Sequence, residues 1–295
     1  MSASRCVPGR PMSTASTRRA GCALLSSYPL LVSDLDGTLL TDQKSVSPET
    51  TAALRAAREQ GMALAIASAR PYRLIRAVIP EETLALFSAV IVSNGAAILS
   101  PDGTRVLHSD ALGVAELATL ITRLRALFPD AGFGWESGTE FGSDQQMLEL
   151  VAAGGVLRDP HADRVKHLPT ASAHQLVMAP AHGIPRDHLD TVRRELGEAY
   201  AVTDSLGGVV EISPVSVTKA DAARVWAASL GHTLAEVVAF GDEHNDLPLL
   251  RTAGLGVAMG NAAAEVRETA HLVTATNNDH GVARTLWALL SGEAS

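Results

Sequence analysis

Cysteine is nearly absent from this 295-residue chain. Cys6 and Cys22 are its two cysteines, and both precede the first predicted strand. The rest of the chain therefore cannot use a thiol nucleophile, a cysteine-ligated zinc ion or a disulfide. Such a composition suits a reducing compartment, and we expect a cytoplasmic protein.

Long apolar runs and an excess of positive charge are also missing. No run approaches the about 20 apolar residues that a membrane-spanning helix needs. The formal net charge is −8, which disfavours a nucleic-acid backbone as the partner. We therefore expect neither a membrane nor nucleic acid as a partner. With 46% apolar and 19% charged residues, the composition is typical of a globular enzyme, and the length allows more than one domain.

Acidic residues are absent from residues 1–27, which are rich in Ser, Ala, Arg and Pro. This stretch predicts a disordered tail, or an upstream start with Met12 as the alternative initiator. Arg18 and Arg19 precede a short apolar stretch, so an export signal or an organelle transit peptide is an alternative. Cleavage after that stretch would cut into the first predicted strand, which argues against an export signal.

What the chain does contain is a stretch, residues 30–40, in which an apolar run meets two acids. The run predicts a buried strand of a parallel sheet that ends at Asp34, and chemistry in such sheets collects at the carboxyl ends of strands. Asp34 and Asp36 would repel each other there, so we expect a hard divalent cation, most often Mg²⁺, to compensate. Gly37 would let the backbone turn beside the metal. An ordinary Asp-Gly turn is the alternative interpretation.

Two later positions carry polar groups that could meet the same edge. Ser68 follows a strand predicted over residues 62–67, where its hydroxyl and the neighbouring N–H groups could hold a phosphoryl oxygen. Lys219 opens a helix that continues to Leu230, although a cation is electrostatically disfavoured at a helix start. This placement indicates an ammonium aimed at a phosphate and at Asp34. A common strand-end serine and a solvated lysine are the alternatives.

The strand predicted over residues 236–240 ends in the string Gly-Asp-Glu-His-Asn-Asp. The string places two carboxylates and an amide at a helix start, whose N-terminus can also face an anion. Asp242 is the predicted metal ligand, while Asn245 and Asp246 would fix the lysine, the metal waters or the phosphate. The string does not match an EF-hand loop, which needs acids at alternate positions. A capped helix start is the alternative.

The order of predicted elements divides the chain into a core and an insert. Residues 28–107 and 214–295 predict an α/β core, a Rossmann-like parallel sheet with helices on both faces. Residues 108–213 do not alternate strand and helix, and they predict an inserted α+β cap domain that shapes access to the site. Four histidines of the insert fit no metal-ligand spacing and are expected to be solvated or in loops: His161, His167, His174 and His182.

In their order along the chain, these strings resemble the motifs of the haloacid dehalogenase-like hydrolases. Asp-x-Asp-Gly-Thr-Leu comes first, then Ser68, Lys219 and Gly-Asp-x-x-Asn-Asp, with the cap between the second and the third. The strings Ser-Asn-Gly-Ala, Met-Gly-Asn-Ala and Asp-x-Gly-Val are similar to the Cof-type branch, with a C2-type cap, and the resemblance covers residues 30–290. The family commonly has glycine at three positions where this chain has Ala69, Ser216 and Ala220.

The resemblance implies a phosphatase that works through an aspartyl-phosphate. Asp34 would be the nucleophile, ionised at neutral pH. Asp36 would protonate the leaving alcohol and then activate water, which requires a raised pKa. Mg²⁺ would be bound by Asp34, Asp36 and Asp242. The residues implied in phosphate binding are Ser68, Ala69, Lys219 and Asn245, and those implied in support are Asp246, Asn94 and Gly95.

The implied partner is a small-molecule phosphate ester. Aromatic residues are few in the insert, with Trp135 the notable one, so we favour sugar phosphates over flavin mononucleotide or pyridoxal phosphate. A phosphomutase of the same fold, a haloacid dehalogenase and a non-enzymatic phospho-ligand-binding regulator are the alternatives. Phosphate release without a second acceptor argues against the mutase, halide release would indicate the dehalogenase, and inertness across a phosphate-ester panel would favour the regulator.

Overall fold

The computed structural model describes residues 27–152, 169–179, 186–205, 209–215 and 217–292. Within these ranges the strands form two sheets. The strands of the larger sheet are β1 (Leu30–Ser33), β2 (Ala63–Ala67), β3 (Ala89–Val92), β4 (Ala97–Leu99), β5 (Val106–Ser109), β11 (Val237–Gly241), β12 (Leu255–Ala258) and β13 (Leu272–Val273). Those of the smaller sheet are β6 (Gly132–Ser137), β7 (Glu140–Ser143), β8 (Gln175–Ala179), β9 (Tyr200–Ser205) and β10 (Val209–Pro214).

Helices alternate with the strands of the larger sheet and flank those of the smaller one. They are α1 (Pro48–Glu59), α2 (Tyr72–Arg76), α3 (Glu81–Leu84), α4 (Val114–Leu127), α5 (Gln145–Ala152), α6 (Arg186–Leu196), α7 (Lys219–Ser229), α8 (Leu247–Thr252), α9 (Ala264–Thr269) and α10 (Gly281–Ser291). None of these helices is both long and apolar enough to cross a bilayer. Helix α1 begins as its sequence predicts, because Ser47 caps it by accepting from the Thr50 N–H at 3.1 Å and Pro48 is its first residue.

The larger sheet has the strand order β13-β12-β11-β1-β2-β3-β4-β5. β1 is parallel to both neighbours, with Leu31 opposite Leu64 of β2 and Val238 of β11. Successive side chains point to opposite faces, so Leu31 packs with α1 and α10 while Val32 packs with α7 and α8. Helices therefore cover both faces, and the predicted parallel-sheet core is confirmed. β4 and β5 extend this sheet as an antiparallel hairpin.

The smaller sheet is antiparallel and has the order β7-β6-β8-β10-β9. Helices α4 and α6 cover one of its faces, where Leu120, Phe133 and Val192 are buried together. Its strands fall between residues 132 and 214, within the stretch where the sequence predicts an α+β insert. The domain limits, 28–107, 108–213 and 214–295, stay predictions.

The sequence pattern does not predict β7 or α5. Gly142 weakens the apolar pattern of β7, but the indole of Trp135 on the paired strand fills that space, since an added Cβ would lie 2.2 Å from its Nε1. The amphipathic pattern of residues 111–128 predicts a helix, and helix α4 begins within it at Val114 rather than at Ala111. The reason is that the Gly113 N–H donates to Glu116 Oε2 at 3.2 Å and caps the helix there.

Candidate active site

Two neighbouring parallel strands of the larger sheet lead into acids. β1 and β11 lie side by side, and the chain continues from them into Asp34 and Asp242. The Asp34 N–H donates to the carbonyl of Phe240 at 2.9 Å, which extends the ladder one residue beyond β1. Because the carboxyl ends of parallel strands open at the same edge of a sheet, both acids reach one site.

A third acid completes the group. Carboxylate oxygens of Asp34, Asp242 and Asp246 lie within 4.8 Å of one another, and all three residues are buried. Asp246 Oδ2 accepts from the N–H groups of Asp242 and Glu243 at 3.0 and 3.1 Å, because the chain makes a tight turn there. Thr38 Oγ1 donates to Asp242 Oδ1 at 2.7 Å. These donors fix the orientation of two of the three carboxylates.

Lys219 brings a cation into this group. It is the first residue of α7, where Thr218 caps the helix by accepting from the Asp221 N–H at 3.1 Å. The Lys219 Nζ donates to Asp34 Oδ1 and to Asp246 Oδ1, both at 2.6 Å, and the residue is 1% exposed. Two carboxylates therefore offset the unfavourable position of a cation at a helix start.

Burial shifts the protonation of these groups. It raises the pKa of Asp34 to about 8, with Lys219 opposing the rise and Asp246 and Asp242 adding to it. Burial also raises the pKa of Asp242 to about 6. For Lys219, burial lowers the pKa, but Asp34 and Asp246 outweigh it and the pKa is raised. Burial and the neighbouring acids thus favour the protonated form of Asp34, whereas a bound cation would favour the ionised form that a nucleophile needs.

The same group has the donors for a hard cation. Three carboxylates share one ammonium, which leaves two negative charges uncompensated when all are ionised. Carboxylate oxygens are the ligands that Mg²⁺ uses, and a divalent cation would neutralise this excess. The donor set therefore fits Mg²⁺, and Asp34, Asp242 and Asp246 are the residues that could hold it.

The Asp36 carboxylate lies against two cations instead. Its Oδ1 accepts from Lys44 Nζ at 2.8 Å and from Arg70 Nη2 at 2.7 Å, and its Oδ2 accepts from Arg70 Nε at 2.5 Å. This carboxylate is thus not part of the three-acid group, although the sequence interpretation made Asp36 a metal ligand. Burial raises the pKa of Asp36, but Arg70 and Lys44 together outweigh it and the pKa is lowered. The expected rise is therefore wrong, because the fold places two cations against this acid.

The strand end after β2 meets the other loops through its backbone and through amides. Ser68 Oγ accepts from the Arg70 N–H at 3.1 Å, and the Asn94 N–H donates to the Ser68 carbonyl at 3.0 Å. Asn245 Nδ2 donates to Asn94 Oδ1 at 2.9 Å. Half-buried Ala69 lies in the same loop. These contacts join the loops that follow β2, β3 and β11, as the order of the motifs implies.

Two glycines at the site allow close approaches. Gly37 has φ +77°, and a Cβ there would lie 2.2 Å from Asp242 Oδ2. Gly95 has φ +113°, and a Cβ there would lie 2.3 Å from the carbonyl oxygen of Thr218, next to Lys219. Residues other than glycine rarely adopt such φ values. Both glycines therefore lie where the loops that present Asp242 and Lys219 pass close to the rest of the site.

Three side chains at the site have no role in the sequence interpretation: Thr38, Lys44 and Arg70. Thr38 lies inside the string Asp-x-Asp-Gly-Thr-Leu and Arg70 is two residues after Ser68, so closeness to a motif is a usable signal for both. Lys44 carries no such signal, because a loop lysine eight residues from Asp36 is usually solvated.

Buried polar contacts join the smaller sheet to the larger part of the molecule. Arg73 of α2 donates to both carboxylate oxygens of Glu136, at 2.7 Å for Nη2 to Oε1, and both residues are buried. Ser93 Oγ donates to Gln175 Oε1 at 3.1 Å. Glu136 and Gln175 are opposite each other in β6 and β8 and point to the same face. Trp135, one residue before Glu136, points to the other face and packs with the helices that cover the smaller sheet.

His174 lies in the connection just before β8, as expected of a loop histidine, but it is buried and not solvated. It is 1% exposed, its Nδ1 accepts from the Gly138 N–H at 3.3 Å, and its Nε2 has no partner among the described residues. Burial lowers the pKa of His174 to about 4. His174 is buried because its backbone N–H donates to the Glu136 carbonyl at 2.9 Å, which holds the residue against β6. Four other residues named in the sequence analysis lie outside the described residues: His161, His167, His182 and Ser216.

The parallel sheet, the three acids and the buried lysine define a class of hydrolase. The family profile described as haloacid dehalogenase-like hydrolase matches residues 31–286, and the chain belongs to this family. A solved haloacid dehalogenase-like hydrolase from Bacteroides thetaiotaomicron superposes with a TM-score of 0.71 at 26% identity, and the match covers 89% of this chain and 99% of that one.

Curated relatives narrow the class to phosphatases. The pyridoxal phosphate phosphatase YbhA of Escherichia coli is 29% identical over 270 residues, which are 87% of this chain and 97% of the relative. The 5-amino-6-(5-phospho-D-ribitylamino)uracil phosphatase YcsE of Bacillus subtilis is 28% identical over 266 residues, 88% of this chain and 96% of the relative. This protein is therefore a phosphatase, and the predicted enzyme class is confirmed.

Proposed function

We propose that the protein is a Mg²⁺-dependent phosphatase that hydrolyses a small phosphomonoester through an aspartyl-phosphate. The observation that carries this proposal is the buried group of Asp34, Asp242 and Asp246 around the ammonium of Lys219. It combines a nucleophile, an oxygen donor set for a hard cation and a fixed positive charge in one place. Mg²⁺ held by Asp34 and Asp242 would offset the repulsion between the nucleophile and an incoming phosphate dianion.

The chemistry of the chain's own residues has two halves. In the first, an Asp34 oxygen forms a bond to phosphorus while the bond from phosphorus to the leaving oxygen breaks, and Asp36 gives that oxygen a proton. For this step the negative charge of the bound phosphate must raise the pKa of Asp36, which Arg70 and Lys44 lower in the free site. In the second, Asp36 takes a proton from water, which attacks phosphorus and releases inorganic phosphate and the free Asp34 carboxylate. Lys219 holds Asp34 in place throughout, and Ser68 with its neighbouring N–H groups binds the transferring group.

We propose a small monoester as the substrate, with sugar phosphates as the first class to test. The two relatives act on pyridoxal phosphate and on a phosphorylated ribitylamino-uracil, which share the phosphate group and differ in the leaving alcohol. The face of the smaller sheet that meets the core carries the polar side chains Glu136 and Gln175. Both side chains are bonded to the core, to Arg73 and to Ser93, so they make this junction polar and do not themselves define a substrate contact. Trp135 points away from this face, so it offers no stacking surface for an aromatic leaving group.

A phosphate-release screen over small monoesters tests the proposal, with Mg²⁺ in one arm and excess chelator in the other. We expect release with Mg²⁺ and its loss with chelator. Asp34→Asn should reduce turnover by at least about 10³-fold and keep the fold, because it removes the nucleophile while nearly preserving the shape of the side chain. Asp130→Asn, at an exposed position, is the matched control and should retain full activity. Near-normal turnover by Asp34→Asn would exclude the aspartyl-phosphate route.

A further inference from the structure

Lys44 makes a contact that the proposed chemistry leaves unexplained. Its Nζ lies 2.8 Å from Asp36 Oδ1, the same oxygen that accepts from Arg70 Nη2 at 2.7 Å. Arg70 also binds Oδ2 through Nε, at 2.5 Å. Both oxygens of the Asp36 carboxylate are therefore held, and the carboxylate has a single orientation beside the three-acid group.

The loop that carries Lys44 has a defined, strained shape. Lys44 has φ +57°, a left-handed conformation that costs a residue with a side chain on the order of 1–2 kcal/mol. The Thr41 N–H donates to the Ser45 carbonyl at 2.9 Å, and the Lys44 N–H donates to the Thr41 carbonyl at 2.9 Å. Two backbone hydrogen bonds thus close the turn that aims Lys44 at Asp36.

A second segment, far away in the chain, pins this loop. The Asp42 N–H donates to Asn278 Oδ1 at 3.0 Å, and Asn278 Nδ2 returns a bond to Asp42 Oδ2 at 2.8 Å. Asn277, which is buried, donates through Nδ2 to the Leu40 carbonyl at 3.0 Å and to Asp42 Oδ1 at 3.1 Å. Four hydrogen bonds therefore connect the segment before α10 to the loop that presents Lys44.

We propose that Lys44 is a positioning residue for Asp36, and that Asn277 and Asn278 hold its loop in place. This role rests on the proposed function, in which Asp36 moves the proton. The ion pair with Lys44 is exposed at the surface, and such pairs add only about 0–1 kcal/mol to stability. Orientation is what we assign to the contact: together with Arg70, Lys44 holds the Asp36 carboxylate apart from the three-acid group of Asp34, Asp242 and Asp246.

The test compares two leaving groups, because a positioned acid matters only where the leaving oxygen needs a proton. The alkyl oxygen of a sugar phosphate needs a proton in order to leave, whereas 4-nitrophenolate leaves as a stable anion. The parameter kcat/KM reports the step in which the leaving group departs. We expect Lys44→Met to lower kcat/KM for the best sugar phosphate of the screen at least about tenfold more than for 4-nitrophenyl phosphate. Asn278→Ala should shift the ratio in the same direction by less, and Lys44→Arg should restore it.

The controls distinguish a loss of positioning from a general loss of activity. Arg224→Met removes another exposed cation, paired with Asp221 on α7, and should leave the ratio unchanged. An equal loss on both substrates in a folded Lys44→Met would overturn the positioning role alone. Should that variant melt early, Asn278→Ala decides by the same ratio. Absence of Mg²⁺-dependent release by the wild type would overturn the proposed function and this role with it.

Discussion

At the scale of single residues, the site depends on how closely charged groups approach one another. Lys219 touches two carboxylates at 2.6 Å each, and Asp242 passes so close to Gly37 that a Cβ would lie 2.2 Å from its Oδ2. Such spacing makes the energies of the group strongly coupled, since each removed or displaced charge changes the field at the others. A change that moves one carboxylate should therefore affect metal binding and turnover together.

Gly37→Ala is expected to displace Asp242 and to strain the backbone at φ +77°. We expect kcat/KM to fall on the order of 10²-fold, because misplacing a catalytic group by about 1 Å has that effect. The Mg²⁺ concentration needed for half-maximal activity should rise. Titrating activity against Mg²⁺ measures both quantities.

Gly231→Ala is the matched control for this prediction. Gly231 has φ +81° and no atom within 4 Å of an added Cβ. The substitution should cost on the order of 1 kcal/mol of stability through backbone strain and leave kcat/KM unchanged. A similar loss of activity in both variants would mean that strain, and not the displaced carboxylate, is responsible.

At the scale of elements, β6 and β8 join the smaller sheet to the larger part of the molecule. Their paired residues Glu136 and Gln175 point to the core and contact Arg73 and Ser93, while the neighbouring residues point into the insert. His174 enters the sheet just before β8, where burial lowers its pKa from 6.5 to about 4. This edge of the insert should therefore be the acid-sensitive part of the smaller sheet.

Acid destabilisation is the expected consequence of burying His174. In the unfolded chain the imidazole takes up a proton below about pH 6.5, whereas in the folded chain it stays neutral until about pH 4. The stability that depends on neutral His174 is thus present above pH 6.5 and is lost as the pH falls towards 4, up to roughly 3 kcal/mol.

Urea unfolding followed at several pH values between 7.5 and 4.5 checks this expectation. His174→Leu should be somewhat less stable than the wild type at pH 7.5, because the Gly138 N–H loses its acceptor. It should nevertheless lose less stability than the wild type as the pH falls. Parallel curves for the two proteins would show that His174 does not carry the acid sensitivity.

At the scale of the whole molecule, residues far apart in sequence close one site. Asp34, Lys219 and Asp246 touch although 185 residues separate Asp34 from Lys219. Folding concentrates three carboxylates around one ammonium, so we expect cation binding and folding to be linked.

Mg²⁺ should therefore raise the melting temperature of the wild type. A ligand at 100 times its Kd adds about 2.7 kcal/mol to the free energy of unfolding, if it binds the folded state alone. Asp242→Asn should lose most of this response, because it removes one of the three carboxylates that fit the cation. Asp130→Asn should respond like the wild type. Thermal unfolding with Mg²⁺ and with chelator measures the effect, and an unchanged response in Asp242→Asn would place the cation elsewhere.

Much of the fold can be predicted from local patterns. Apolar runs predict β1, β2 and β11 because strands buried on both faces need such runs, and the pair Ser47-Pro48 predicts the start of α1. β7 is not predicted because Gly142 weakens the strand pattern, and its role is to leave room for the Trp135 indole of the paired strand. A contact between two strands cannot be predicted from a short stretch of sequence.

The sequence by itself determined which acids, lysine and amides stand at strand ends and helix starts, because these positions follow from local periodicity and from the order of motifs. Tertiary structure alone decided which of these side chains contact one another. It grouped Asp34 and Asp242 with Lys219, and it turned Asp36 towards Arg70 and Lys44, which reversed the direction of the shift expected for its pKa. The physical reason is that pKa values and ion pairs depend on distances across the fold, which the order of residues does not contain.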